Sequence, residues 1–185
     1  ITRLAMWSPS LLVPLLFTVV MHTTVSAPPP TAVPNRTLPH SQPPRSPRAA
    51  ATLMQELLGP DGGQRTLKSY NDEYLTEYNG HMLTNDWTRA PGQYWYIERI
   101  NDNEVALKSH NGLYVKHGWF SWGKTADVAN AWEMLTPVKN DDGSWSFKSR
   151  WNKWMSAKYT ERGVHFITFE SKKERSEHWR LESWY

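Results

Sequence analysis

The chain has 185 residues, 13% of them aromatic and 11 of them tryptophan, which is enough for one ordinary domain with a substantial core. The formal net charge is +3, and from Gln64 onward 17 basic residues are interspersed with 16 acidic ones. A nucleic-acid-binding protein would cluster its basic residues, so we expect none of that class here. The absence of cysteine excludes disulfides, thiolate catalysis and thiolate metal ligands.

The first 27 residues have the pattern of a secretory signal peptide. An apolar centre at 11–21 precedes small residues at 24–27. Pro9 and Pro14 leave the apolar run shorter than the roughly 20 residues that a transmembrane helix needs. We therefore expect residues 1–27 to be cleaved and the protein to be secreted. If translation starts at Met6, the segment lacks the positively charged residues that usually begin a signal peptide. The alternative to secretion is therefore a cytoplasmic or cytoskeletal protein whose N-terminal segment is not a functional signal.

Residues 28–63 are predicted to be a disordered, proline-rich linker that ends in a short helix. Eight of the 13 prolines lie between residues 28 and 47, and such a composition favours extended backbone. The segment contains the sequon Asn35-Arg36-Thr37, which predicts N-glycosylation at Asn35 in a secreted protein. Residues 49–58 are strong helix formers that end at Gly59-Pro60, so we expect a helix there that packs under the domain.

Residues 64–185 contain an internal repeat of forty residues, visible as LKSYNDEYL from Leu67, LKSHNGLYV from Leu107 and FKSRWNKWM from Phe147. Each copy predicts a strand, a tight polar turn and a second strand, with Asn111-Gly112 as the clearest turn. After another glycine-containing turn, each copy closes on a tryptophan followed two positions later by an apolar residue. The closing pairs are Trp95 with Ile97, Trp132 with Met134, and Trp179 with Leu181.

Residues two apart point to the same face of a strand, so each copy contributes about four short strands and sends its closing pair into a shared core. Propellers typically need four to eight blades, whereas this chain has three copies. The sequence therefore predicts an all-β domain at 64–185, a single β-trefoil of three forty-residue units built as a closed barrel capped by hairpins.

The pattern LKS-x-NG-x-Y-V, with a turn glycine and a terminal aromatic-x-aliphatic strand, resembles the repeat of fascin-like β-trefoils and covers about 120 residues. Actin-crosslinking and agglutinin-type lectin trefoils share it loosely, so the resemblance implies the fold more than one function. The closing residue here is tryptophan where fascin-like repeats usually have phenylalanine. The Gln-x-Trp of ricin-type lectins is matched only by Gln93-Tyr94-Trp95.

No motif for catalysis, a metal or a cofactor is found, so we expect a non-enzymatic protein without cofactors. Ser121 stands one place late for a nucleophile elbow, and no dinucleotide or phosphate loop occurs. His110 and His117 flank a hairpin without a metal-ligand spacing, which favours structural roles. Asp141-Asp142 is interpreted as a turn.

Of the ten tryptophans after residue 63, six remain once the three closing residues and Trp154 are assigned to the core. Exposed aromatic side chains often mark binding surfaces. Flat rings can stack on the apolar faces of sugars while polar neighbours supply hydrogen bonds. Where the three copies differ, the sequence therefore predicts a ligand-binding site. Its candidate residues are Trp119, Phe120, Trp122, Trp151, Lys116 and Asn111.

The first functional hypothesis is a secreted, monomeric module that recognises glycans or an extracellular protein. The second follows the family resemblance: a cytosolic domain that binds or bundles actin filaments. The third is a growth-factor-like ligand for a receptor and heparin, for which Lys172, Lys173 and Arg175 form the one short basic cluster.

Overall fold

The structure is a computed structural model that describes residues 46–85, 90–118, 123–159 and 165–184. The predicted signal peptide, most of the proline-rich segment and the sequon at Asn35 lie outside these residues. Within the described ranges, no helix is both long enough and apolar enough to cross a membrane.

One helix precedes the strands, as the sequence predicts. Helix α1 spans Pro47–Leu58, and the hydroxyl of Ser46 caps it by accepting the Ala49 N–H at 3.3 Å. Gly59 ends it with a left-handed φ of 59°. Met54 and Leu57 on its inner face belong to the same buried cluster as the strand residues, so this helix is packed on the β structure.

In the described residues, twelve strands follow the helix, four in each forty-residue copy. The first copy supplies β1 to β4, the second β5 to β8 and the third β9 to β12. Their bounds are Gln64–Lys68, Tyr74–Tyr78, His81–Asn85, Trp95–Arg99, Val105–Ser109, Tyr114–His117, Gly123–Ala126, Leu135–Lys139, Trp145–Ser149, Trp154–Tyr159, His165–Glu170 and Arg180–Glu182.

The strand pairings run around a ring. In each copy the first strand faces the fourth: β1 pairs with β4, β5 with β8, and β9 meets the segment before β12 through a bridge between Trp145 and Trp179. The fourth strand then pairs with the first strand of the next copy, as β4 does with β5, β8 with β9 and β12 with β1. The remaining strands form antiparallel hairpins, β2 with β3, β6 with β7 and β10 with β11. The result is an all-β, trefoil-like fold with one helix.

The tight turn after each first strand has the same construction in all three copies. Residues Asp72, Gly112 and Asn152 occupy its left-handed position, with φ of 67°, 87° and 62°, a conformation that glycine, asparagine and aspartate adopt most readily. The preceding lysine then lies over the aromatic ring that begins the second strand, at 4.9–5.3 Å from its centroid. These pairs are Lys68 with Tyr74, Lys108 with Tyr114, and Lys148 with Trp154. The repeated Lys and turn residues therefore serve the fold. Trp154 is partly exposed, so the prediction that it is a core residue is wrong.

The core is built from equivalent positions of the three copies, including Leu67, Leu107 and Phe147, all fully buried. At the hairpin end, Met82, Gly123 and Ile167 hold equivalent places in their hairpins. A Cβ on Gly123 would lie 2.6 Å from Met82 Cε and 2.9 Å from Ile167 Cγ2. Glycine is required there because its two counterparts already fill the space.

The prediction that Trp132 and Met134 close the second copy in the core is wrong. The residue forty positions after Trp95 is Leu135, and Trp95, Leu135 and Trp179 are all fully buried. Each follows a buried Gln or Glu two residues earlier, namely Gln93, Glu133 and Glu177. Gln93 Oε1 accepts the Ala90 N–H, Glu133 Oε2 the Asn130 N–H and Glu177 Oε2 the Glu174 N–H, so this position closes its own loop in every copy. The prediction matched Trp132 to Trp95 because both are tryptophans, which displaces the second copy by three residues from the forty-residue spacing that Leu135 has.

Candidate functional site

Four aromatic side chains meet where the second copy contacts the third, and we call His117, Trp132, Trp151 and Phe169 the aromatic junction. The rings of Trp132 and Trp151 are stacked, with centroids 3.7 Å apart and planes at 27°. His117 lies edge-on to Trp151 at 5.4 Å and is stacked on Phe169 at 4.4 Å. Trp151 is 38% exposed, whereas His117 is 5% exposed. The junction thus has a buried base of His117 and Phe169 and a stacked pair of tryptophans, in which Trp132 is partly exposed and Trp151 is more exposed.

The fold fixes each member of the aromatic junction through its backbone. Trp151 stands in the turn between β9 and β10, directly before Asn152 with its left-handed φ of 62°. His117 ends β6, and its backbone N–H donates to the Trp132 carbonyl oxygen at 3.0 Å. Phe169 lies on β11 opposite the buried Met155. Because four separate segments supply the rings, including the loop before β8 that carries Trp132, the geometry depends on the assembled fold.

The imidazole of His117 is held in a nonpolar setting. Burial lowers the pKa of His117 below the ordinary histidine value, and the positive charge of Lys153 lowers it further. Its Nδ1 lies 3.0 Å from the Ser149 hydroxyl oxygen, which gives one ring nitrogen a hydrogen-bond partner. The uncharged ring therefore fits the junction better than the cation does.

Three charged residues are neighbours in sequence of members of the aromatic junction: Lys116 precedes His117, Glu133 follows Trp132, and Lys153 follows Trp151 by two positions. Lys116 Nζ lies 3.7 Å from Glu133 Oε1, and the Glu133 carboxylate is almost completely buried. Lys153 follows the turn of Trp151 and donates to the Ser171 hydroxyl. Cationic donors and buried acceptors beside a partly exposed ring can bind the hydroxyl groups of a ligand whose apolar face covers the ring.

The corresponding place between the first and second copies is polar, and we call Glu77, Gly92 and Asn111 the polar junction. These residues lie forty positions before His117, Trp132 and Trp151. The buried carboxylate of Glu77 accepts the Gly80 N–H at 2.8 Å and the side-chain N–H of Asn111. A Cβ on Gly92 would lie 2.3 Å from the Glu77 carbonyl oxygen, so no side chain fits between them.

The structure brings some predicted site residues together and separates another. Trp151 belongs to the aromatic junction and Lys116 precedes its member His117 in the chain, whereas Asn111 lies in the polar junction and bonds Glu77. Trp119, Phe120 and Trp122 lie outside the described residues; in sequence they follow His117 and Gly118. His117 and Trp132 are site residues that the sequence predictions do not include. The signal for them is that aromatic residues stand at these positions where the first copy has Glu77 and Gly92, forty positions earlier.

Two further tryptophans left over by the repeat are core residues. Trp145 is 4% exposed, and Trp184 is 9% exposed. The Trp184 indole N–H donates to the Arg65 carbonyl oxygen at 2.8 Å, and its ring stacks on Tyr94 with centroids 4.9 Å apart. The surplus of tryptophan is therefore partly structural.

The basic cluster at 172–175 is spread over separate contacts. Lys173 Nζ donates to Asn140 Oδ1 at 2.8 Å and lies 5.4 Å from the Trp154 ring centroid. Arg175 lies over the ring of Tyr70 at 5.9 Å. In the part of the chain that the structure describes, no three His, Asp or Glu side chains are grouped as metal ligands. A continuous basic surface of the kind heparin needs is not formed by these three residues.

The chain is similar in fold to known structures at low sequence identity. No protein-family model matches the chain, and no curated protein matches it. A designed three-fold symmetric protein, ThreeFoil, matches 64% of this chain and 97% of its own with a TM-score of 0.58 and 15% identity. A GlcNAcα1-4Gal-releasing endo-β-galactosidase from Clostridium perfringens matches 64% of this chain with a TM-score of 0.55 and 18% identity. That match spans 31% of the galactosidase chain.

Proposed function

We propose that residues 64–185 form a β-trefoil of three forty-residue units that acts as a non-enzymatic glycan-recognition module. The observation that carries the proposal is the aromatic junction, where the exposed Trp151 is stacked on Trp132 and contacts the buried His117. The same place in the first copy is filled by polar contacts, so the fold itself does not require aromatic rings there.

The chemistry of the junction suits a sugar. An indole that is already held in place loses little conformational entropy when a pyranose ring stacks on it. Lys116 precedes His117 in the chain and Lys153 follows Trp151 by two positions, so their ammonium groups are candidate donors for hydroxyl groups of the sugar. The fold likeness to an enzyme whose name concerns a galactoside is compatible with this ligand class.

Trp151→Ala tests the proposal. We expect the wild-type protein to show saturable quenching of tryptophan fluorescence with a glycan selected from an array, and the variant to lose binding by roughly tenfold or more, because aromatic anchors carry much of the energy of such contacts. Tyr159→Ala is the matched control, since Tyr159 is 57% exposed at another place. Equal binding by the wild type and Trp151→Ala would contradict the proposed site, and an array without any ligand would contradict the glycan class.

We propose secretion as the setting for this function, with cleavage near residue 27 and glycosylation at Asn35. Mass spectrometry of the mature protein from secreting cells tests both points. Retention inside the cell with residues 1–27 intact and Asn35 unmodified would refute them.

The second candidate is actin-filament binding by a fascin-like trefoil. What favours it is the LKS-x-NG-x-Y-V pattern, whose lysine, turn and aromatic residues form the same local structure in each copy. Low-speed co-sedimentation with actin filaments measures bundling directly. Pelleting of filaments by the wild type, together with a blank glycan array, would favour this candidate over the first.

A further inference from the structure

A small cleft on the molecule collects basic groups around a buried hydroxyl. It has a volume of about 120 Å³ and is lined by Ser69, Tyr70, Asp142, Ser144, Arg175, His178 and Arg180. It shares no residue with the aromatic junction. We call the cleft formed by these seven residues the anion cleft.

The buried hydroxyl of Ser69 lacks a hydrogen bond. Ser69 is 1% exposed, and its Oγ is the one buried side-chain polar atom in the described residues that has no partner. The equivalent hydroxyls are used: Ser109 Oγ accepts the Leu113 N–H at 3.1 Å and Ser149 Oγ accepts the Lys153 N–H at 3.4 Å. An unpaired buried hydroxyl costs free energy, and a ligand atom in the cleft would remove that cost.

The arginines of the anion cleft can turn toward a ligand. Arg175 is exposed, lies over the ring of Tyr70 and has no carboxylate partner among the described residues. Arg180 pairs with Asp72, but both side chains are more than half exposed, and such surface pairs contribute little. A guanidinium group binds two oxygens of one oxyanion through parallel N–H donors.

The one carboxylate among the described residues that line the cleft is held by hydrogen bonds. Asp142 Oδ2 lies 3.0 Å from His178 Nδ1, and its Oδ1 accepts the Ser144 N–H at 3.0 Å. Hydrogen bonds from Ser144 and His178 hold the pKa of Asp142 well below its usual range, so this carboxylate is ionised. Arg175 and Arg180 bring two positive charges to the lining against the one negative charge of Asp142, so the lining carries a net positive charge.

From this arrangement we propose that the anion cleft binds a tetrahedral oxyanion, a sulfate or phosphate group, between Arg175 and Arg180, with the Ser69 hydroxyl donating to it. The group can come from a sulfated or phosphorylated sugar or from the free inorganic anion. The site is separate from the aromatic junction, so it stands whether or not Trp151 binds a glycan.

The test is a titration of the folded protein with sodium sulfate, sodium phosphate and N-acetylglucosamine 6-sulfate at constant ionic strength, followed by NMR of the Ser69 and Tyr70 amides. We expect saturable shifts of both amides. Arg175→Gln and Arg180→Gln should each weaken binding by roughly tenfold, the usual effect of removing one charged hydrogen bond. Lys172→Gln removes the same charge from an exposed neighbour that does not line the cleft, and Trp151→Ala alters the other site; both should leave the affinity unchanged.

The outcomes separate the sources and the mechanism. Tighter binding of the sulfated sugar than of sulfate identifies a glycan as the source, while equal or weaker binding identifies the free anion. Weakening by Lys172→Gln as large as that by Arg175→Gln would show general charge attraction and overturn the proposal. Absence of saturable shifts at Ser69 and Tyr70 with all three probes would also overturn it.

Discussion

The polar junction and the aromatic junction occupy equivalent places, yet they are stabilised in different ways. In the first, Gly80 and Asn111 hold the buried Glu77 carboxylate, and Gly92 leaves room for the Glu77 carbonyl oxygen. In the second, His117 and a stacked tryptophan pair fill the same space with rings. The fold is therefore compatible with either a polar or an aromatic set of residues at this place, so the aromatic set is not required for folding. At the surface, the two junctions differ in that the second exposes part of Trp151.

The strongest test of this difference is Gly92→Ala, because the added Cβ would approach the Glu77 carbonyl oxygen to 2.3 Å. A backbone atom cannot move aside as a flexible side chain can, so we expect a loss of about 3 kcal/mol in the free energy of unfolding. Trp132→Phe at the equivalent position keeps a ring against Trp151 and should cost only about 1 kcal/mol, because part of the stacked contact remains. Urea denaturation measures both, and similar losses for the two variants would show that the junctions are not packed differently.

The next effect in size is expected from Glu77→Ala. The change removes the acceptor of the Gly80 N–H and the Asn111 side chain and leaves a small void, which should cost about 2 kcal/mol. Asn111→Ala should cost less, because Asn111 is exposed and Glu77 keeps its bond to Gly80. Thermal or urea unfolding of the two variants gives the comparison. A larger loss for Asn111→Ala would contradict the central role of the buried carboxylate.

Much of the fold was visible in the sequence because the repeated residues are those that the backbone and core require. The left-handed turn positions, the lysine over each aromatic ring and the buried Leu67, Leu107 and Phe147 all recur at forty-residue spacing. The fascin-like grouping goes further than the fold likeness, which supports a trefoil and no particular family.

The candidate site was harder to predict because a tryptophan in a sequence does not show whether it is buried. Trp132 was assigned to the core because it resembles Trp95, although Leu135 has the correct spacing and fills that place. His117 and Trp151 come from strands of different copies, and their contact depends on how the copies pack. Pairing between copies is a property of the three-dimensional arrangement, so residue-by-residue matching of the repeats cannot supply it.

The smallest effect expected is a pH dependence of stability at the aromatic junction. Because the pKa of His117 is lowered in the folded protein, the unfolded chain takes up this proton first as the pH falls. The stabilisation is complete above the unfolded value of about 6.5 and declines below it, until the pH passes the folded value. His117→Gln should remove this component, so the difference in unfolding free energy between wild type and variant should change between about pH 8 and pH 5. Taking the difference cancels the contributions of the other histidines. A difference that is constant with pH would show that His117 titrates alike in the folded and unfolded states, and that burial in the junction does not favour its neutral form.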